Sequence, residues 1–244
     1  MSTSDNNQKE AVALVTGGAR RVGRYIVNAL SDHFRVAVHC HRPPDDTDTR
    51  IEDATYFESD LTAPAAPAKL IEDVIFAMGR LDVLVNNAAI FFQDKSPLLD
   101  LAKMKTLNVD APRKLMAAAR PHLKQRGGHI INIADIAGIR PFKKYHAYSK
   151  SKAALIEYSL SEALSLARDQ IRINTICPGI VLPSEQQKTD ALDFLQQQIP
   201  LNYIGKPEDV ASLVAFLATS NFITGQVISV DGGRLLSPVP DEPR

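Results

Sequence analysis

Short apolar runs alternate along the chain with longer stretches whose apolar residues recur every three or four positions. Residues 11–15 form the first run, ending in Thr16-Gly17-Gly18. Over 22–30, Val22, Ile26, Val27 and Leu30 fall near one face of a helix. Residues 34–38 predict a second strand, and Pro43-Pro44 with Asp45, Asp46 and Asp48 predict a surface loop. Residues 55–58 predict a weak third strand that closes at Asp60-Leu61. A helix over 65–78 follows, with Leu70, Val74 and Ala77 at helical spacing, then a strand over 81–85 closed by Asn86-Asn87. Downstream, helices are expected over 98–107, 111–123, 147–168, 192–199 and 207–219. Strands are expected over 129–133, 171–176 and 226–230, and a loop over 178–185. Strands alternating with helices predict an α/β domain with βαβ units around a parallel sheet.

Composition agrees with one folded unit. Of 244 residues, 45% are hydrophobic and 23% charged, which excludes a disordered chain, a coiled coil or a collagen-like rod. No repeat or linker interrupts the pattern. One domain is expected over 8–238, with 1–7 and 239–244 as flexible tails. Lys+Arg and Asp+Glu are 28 each, so the broad basic excess of a nucleic-acid binder is absent and a small-molecule partner is favoured. No apolar stretch reaches the roughly 18 to 20 residues of a membrane span, and the first ten residues are polar. Cys40 and Cys177 lie far apart among apolar residues and are expected reduced, as in a cytoplasmic protein. No metal site is expected.

The chemistry concentrates at strand ends. Thr16 to Gly23 lies between the first strand and the first helix. There Gly17 suits a tight turn, Gly23 a close helix approach, and the free N–H groups a pyrophosphate. Gly17, Arg20, Arg21, Val22 and Gly23 are therefore candidate cofactor contacts. Arg21 stands where many such turns have a second glycine, and its side chain can reach a phosphate or a polar ligand. The second strand ends His39-Cys40-His41-Arg42. A carboxylate there would favour NADH by accepting from the ribose hydroxyls. His41 and Arg42 instead suit the 2′-phosphate of NADPH. Asp60 and Leu61 suit an adenine edge, and Asn87 and Ala88 the floor beside a flat cofactor. Tyr148 and Lys152 share one helix face. The ammonium is expected to lower the tyrosine pKa, and the tyrosine to donate a proton as hydride reaches the substrate. Asp135, at a strand end, and Asn108, in an earlier helix, complete the catalytic quartet.

Thr16-Gly17, Asn86-Asn87-Ala88, Asn108, Tyr148-x-x-x-Lys152 and Pro178-Gly179 occur in the order found in the short-chain dehydrogenase/reductase family. The chain resembles that family over about residues 10–236. The resemblance implies a single-domain Rossmann-like doubly wound parallel sheet flanked by helices on both faces. It also implies a homotetramer and cofactor contacts at Tyr148, Lys152, Pro178 and Gly179. The family usually has serine at the position of Asp135 and glycine at that of Arg21. At both positions the chain resembles pteridine reductases. That resemblance implies that Arg21 contacts cofactor phosphate and the pterin, that Asp135 assists Tyr148, and that Phe91 sandwiches the pterin against nicotinamide. His39-x-His41-Arg42 resembles their 2′-phosphate segment, although Pro43 replaces a following serine. Residues 222–236 resemble bacterial dihydromonapterin reductases, and the loop Ile180-Val181-Leu182-Pro183 is expected to cover substrate. The implied reaction is NADPH-dependent reduction of dihydropterins to tetrahydropterins, and of oxidised pterins to dihydropterins, the former with a proton available from water. The alternatives are an NADPH-dependent carbonyl reductase of the same fold and a non-catalytic NADPH-binding sensor.

Overall fold

Every residue of β1 (Val12–Thr16) is buried, because side chains of a strand point alternately to two faces and both faces of this sheet are covered. A computed structural model describes residues 10–42, 51, 53–182 and 194–237. The expected tails, the acidic stretch at 45–48 with Pro43 and Pro44, Pro183, and the start of the helix expected at 192 lie outside the described residues.

Seven strands form one sheet in the order β3-β2-β1-β4-β5-β6-β7. They are β1, β2 (Arg35–Cys40), β3 (Thr55–Glu58), β4 (Val83–Asn86), β5 (His129–Ile133), β6 (Arg172–Pro178) and β7 (Val227–Val230). Every pairing is parallel. On one face, Ala13, Val15, Val38, Val85 and Ile131 pack against Ile26, Val27 and Leu30 of α1 (Arg21–Ser31). Val210, Val214 and Leu217 of α6 (Pro207–Thr219) join the same layer. On the other face, Val12, Leu14, Leu84 and Ile130 meet Leu70, Ile71 and Val74 of α2 (Ala66–Met78). Leu115 and Leu123 of α4 (Ala111–Leu123) and Leu166 of α5 (His146–Arg168) complete that side. The strand order reverses at β1, which leaves a crevice beyond the carboxyl ends of β1 and β4, where ligands bind in open α/β sheets.

Two expected elements differ. The helix expected over 98–107 begins only at α3 (Leu101–Lys105), where the Asp100 side chain caps the Lys103 N–H at 2.9 Å. It then runs through a widened turn, Thr106–Asp110, in which the Ala111 N–H reaches back to the Thr106 carbonyl. Pro112 explains the widening: it offers no N–H to the Asn108 carbonyl, and its ring crowds that group. The helix expected over 192–199 is helical at 194–197 and ends before Ile199.

Candidate active site

The ends of β1 and β4 are tied by side chains that the Thr-Gly and Asn-Asn-Ala segments supply. Thr16 Oγ1 accepts from the N–H groups of Asn87 at 2.9 Å and Ala88 at 3.1 Å, while Asn87 Nδ2 donates to the carbonyls of Thr16 at 2.9 Å and Gly17 at 3.2 Å. Gly17 sits at φ +62°, a conformation glycine adopts without penalty. A Cβ on Gly23 would stand 2.2 Å from the Gly17 carbonyl oxygen and 2.7 Å from Asn87 Nδ2, so no other residue fits without displacing the turn. Arg20, the first residue before α1, makes no side-chain cap, and the first helical turn contains no acidic residue. The helix therefore presents free N–H groups and a positive end to the crevice.

The crevice is a continuous cleft of about 960 Å³, near the upper end of ligand-pocket sizes, roughly 300–1,000 Å³. Gly17, Arg20, Arg21, Val22, Gly23, His41, Arg42, Asp60, Leu61, Asn87 and Ala88 line its first half. Tyr148, Lys152, Pro178, Gly179, Asp135 and Phe91 line the second. Its wall carries many more basic than acidic side chains, so the neutrality of the chain conceals a cationic interior. Ser59 Oγ, on the wall between His41 and Asp60, is buried and has no hydrogen-bond partner among the described residues. An extended, polyanionic dinucleotide fits this combination of open helix start, arginine-rich rim and unpaired hydroxyl. Arg21 holds φ +51° and donates from its guanidinium to the Leu182 carbonyl at 3.1 Å. It thus links the glycine turn to the loop after β6.

The expected catalytic pair lies on α5. Tyr148 and Lys152 lie one turn apart on it, and both are buried. Tyr148 Oη donates to Asp135 Oδ2 at 2.9 Å, and Asp135 Oδ1 accepts from the Ala137 N–H at 2.7 Å. Lys152 Nζ donates to the Ile133 carbonyl at 2.9 Å. Burial pushes the Asp135 pKa up, above the usual carboxylate range. Burial, reinforced by the Asp135 charge, pushes Tyr148 well above 10. The expected lowering of Tyr148 by Lys152 is therefore not found, because a carboxylate where serine is usual favours the neutral phenol. Burial also lowers Lys152 to about 8.

Asn108 does not line the cleft. The widened turn buries it behind the wall, where Oδ1 accepts from the Ile90 N–H at 2.9 Å and Nδ2 donates to the Ile90 carbonyl at 2.9 Å and Ser151 Oγ at 3.1 Å. Its place in the expected quartet thus becomes a positioning one: it pins the segment that carries Phe91. One face of the Phe91 ring lies on Tyr145, with centroids 4.6 Å apart and planes at 11°. The ring meets Tyr148 nearly perpendicularly, at 85°. The side chain remains 52% exposed. Asp94 anchors the same segment to the start of α5, accepting from the N–H groups of His146 at 2.9 Å and Ala147 at 3.1 Å.

Among the wall residues outside the expected set, three bear on the site's chemistry. His39 Nδ1 accepts from the Gly17 N–H at 3.2 Å while Nε2 donates to the Ser59 carbonyl at 3.0 Å. Burial lowers its pKa and keeps it neutral, as this acceptor role requires. A histidine ending an otherwise apolar buried strand was the sequence signal. Tyr145 and Arg234 also line the cleft, but only packing brings residue 234 to residue 135.

A family model described as enoyl-(acyl carrier protein) reductase matches residues 21–234. The chain is 32% identical over 244 residues to the rhamnolipids biosynthesis 3-oxoacyl-acyl-carrier-protein reductase of Pseudomonas aeruginosa, covering 91% of this chain and 95% of that protein. It is 33% identical over 242 residues to a tropinone reductase homologue of Arabidopsis thaliana, covering 91% and 90%. The Pseudomonas aeruginosa RhlG/NADP active-site complex superposes with a TM-score of 0.85 at 30% identity, covering 93% of this chain and 96% of that one. None of these three carries a pteridine name. The parallel sheet, the glycine turn over its crevice and a match running from that turn to the last strand lead to one conclusion: the chain belongs to the short-chain dehydrogenase/reductase family and is an oxidoreductase that uses a nicotinamide cofactor.

Proposed function

We propose that this oxidoreductase is an NADPH-dependent pteridine reductase, acting on dihydropterins and oxidised pterins. The observation that carries the reading is the buried Tyr148–Asp135 contact of 2.9 Å beside the half-exposed Phe91 ring. A carboxylate bonded to the proton-donating tyrosine suits a substrate whose reacting atom is a basic ring nitrogen. An aromatic wall suits a flat heterocycle.

NADPH is favoured over NADH because β2 runs out into His41 and Arg42 with no carboxylate directly at its end. Asp60 lies close by, but its Oδ1 is taken by Thr62, from the backbone N–H at 2.9 Å and from Oγ1 at 2.7 Å. Arg20, Arg21, His41 and Arg42 would hold the phosphates, Asp60 and Leu61 the adenine, and Lys152 the nicotinamide ribose. Asn87, Ala88, Pro178 and Gly179 would flank the ring. When bound, the nicotinamide supplies the hydride. Tyr148 donates its hydroxyl proton to the substrate nitrogen, and the raised pKa of Asp135 lets that carboxyl share and restore the proton. Lys152 offsets the negative charge that would otherwise build up at this buried pair.

The carbonyl reductase reading is favoured by a different observation, the oxoacyl and tropinone reductase names of the relatives. In that case Tyr148 protonates a developing alkoxide. A homotetramer in the cytoplasm completes the proposal; both cysteines are buried, and no described helix is long and apolar enough to cross a membrane. Paired NADPH and NADH oxidation assays across dihydrobiopterin, dihydromonapterin and simple ketones test the reading. Turnover of pterins with NADPH supports it, whereas turnover of ketones alone overturns it.

A further inference from the structure

The segment that carries Phe91 has no strand or helix to hold it. Residues 87–93 leave the end of β4 without regular secondary structure, yet Phe91 keeps a defined place against Tyr145 and Tyr148. Asn108 fixes the near end of the segment through both backbone groups of Ile90. Asp94 fixes the far end, and its bonds run to the start of α5. The Asp94 N–H donates to the Lys144 carbonyl at 2.8 Å. Its carboxylate accepts from the N–H groups of His146 at 2.9 Å and Ala147 at 3.1 Å, and from His146 Nδ1 at 2.7 Å. Gln93 adds a second tie, donating from Nε2 to Tyr145 Oη at 3.0 Å.

α5 needs what Asp94 supplies. The first N–H groups of a helix have no partner within it and favour a nearby negative charge. Tyr145, the residue before the first turn, provides no side-chain cap, and that turn holds no acidic residue. A carboxylate from another segment therefore does the capping. The backbone bonds, that from His146 first, hold the Asp94 carboxyl below the usual carboxylate range, so it is ionised. The same clamp spans Lys144, whose φ of +67° is unfavourable for a residue with a Cβ. Backbone in such a conformation persists where its surroundings over-determine it. Tyr148 is the third residue of the capped helix, and Tyr145 immediately precedes that helix.

We propose that Asp94 is a positioning residue for the reaction: by capping α5 from outside, it fixes the Phe91 ring relative to Tyr145 and Tyr148 and so sets the aromatic wall against which substrate binds. Tyr145, Tyr148 and Phe91 line the cleft and Asp94 does not, so Asp94 acts through Phe91 and not by touching substrate or cofactor. The role concerns the wall and not the identity of the molecule that meets it, so it stands apart from the pteridine reading.

The test measures steady-state kinetics with dihydrobiopterin and NADPH for the wild type, Asp94→Ala, Phe91→Ala and the double variant. Asp94→Ala is expected to raise KM for dihydrobiopterin about threefold, as partial loss of one aromatic contact would, with kcat and NADP⁺ affinity unchanged. In the Phe91→Ala background the same change is expected to have no further effect on KM, because residues that act through one group are not additive. Asp94→Asn, which keeps an acceptor oxygen for the helix N–H groups, is expected to restore KM to near the wild-type value. A merely structural residue gives another pattern: less folded enzyme lowers the apparent kcat and leaves KM alone. An unchanged KM, a fall in kcat alone, or an additive rise of KM in the double variant overturns the role. Amide exchange of the NADP⁺-loaded protein supplies a readout that needs no substrate. Asp94→Ala is expected to speed exchange at least tenfold, on the order of one local opening made easier, in peptides covering 89–96 as well as 145–149. Acceleration confined to 145–149 overturns the role. A wild type that leaves dihydrobiopterin unreduced sinks the pteridine reading, and the exchange result then decides the role of Asp94 by itself.

Discussion

Replacing Asp135 with serine restores the residue that the family usually has and isolates the charge that sets this site apart. Asp135 Oδ2 lies 2.9 Å from Tyr148 Oη. Two unit charges about 3 Å apart at an effective dielectric of about 20 repel by about 5 to 6 kcal/mol, equivalent to about 4 pKa units. The ammonium of Lys152, 5.8 Å from the Tyr148 ring centroid, offsets part of that repulsion. The tyrosine pKa is therefore expected to fall by about 1–3 units in Asp135→Ser. The direction follows from the chemistry. With Tyr148 as the proposed acid, kcat falls as pH rises through its pKa. In the wild type that pKa is raised well above 10, so kcat should show no tyrosine limb below pH 10. In Asp135→Ser the limb enters the measurable range. Asp135 also raises the Lys152 pKa against burial, so the alkaline loss of cofactor affinity, expected near pH 8 in the wild type, should move to lower pH in the variant. Profiles of kcat and of KM for NADPH from pH 6 to 10, with deuterated cofactor to show that hydride transfer limits kcat, separate the two limbs. A kcat limb at the same pH in both proteins would refute the proposed coupling between Asp135 and Tyr148.

Gly23→Ala places a methyl group 2.2 Å from the Gly17 carbonyl oxygen. Overpacking of about 1–3 kcal/mol should lower the melting temperature and weaken NADPH at least tenfold in a fluorescence titration; a change within twofold counts against the turn as the phosphate site. Lys152→Met removes a buried ammonium whose pKa is lowered to about 8 from the ordinary 10.5, which burdens folding by about 3 kcal/mol, less about 1 kcal/mol for the lost bond to the Ile133 carbonyl. The charged lysine disfavours folding below pH 8 and that burden lifts as pH rises from about 8 to 10.5. Denaturant melts should accordingly show an inactive variant that is more stable at pH 7 and loses this advantage near pH 10. Phe91→Ala should raise substrate KM by about two- to tenfold, on the order of the 0.5–1.5 kcal/mol of an aromatic contact, and leave NADPH affinity unchanged. Equal loss of both affinities in calorimetry would make Phe91 a structural residue instead.

The alternation of apolar strands with amphipathic helices was enough to place all seven strands and most helices within a few residues, because β1, β2, β4, β5 and β6 are buried on both faces and largely apolar, while the edge strands β3 and β7 are only partly buried. The Thr16–Gly23 turn, the Asn86–Ala88 segment and the Tyr148/Lys152 pair were equally legible. Their spacing is local, and local geometry places them on one turn or one helix face. What the sequence could not decide depends on contacts between distant segments. Pro112 widens a turn and turns Asn108 from the cleft to the back of Ile90. His39 is recognisable as a brace for Gly17 only once β1 and β2 lie side by side. The Tyr148 pKa goes up, not down, because burial and an adjacent carboxylate outweigh a lysine that sequence spacing alone puts in the foreground. Arg234, ninety-nine residues from Asp135 in sequence, joins the site from the last described turn because β7 pairs beside β6. Periodicity is a property of neighbours along the chain, whereas charge, desolvation and hydrogen-bond partnership are set by neighbours in space.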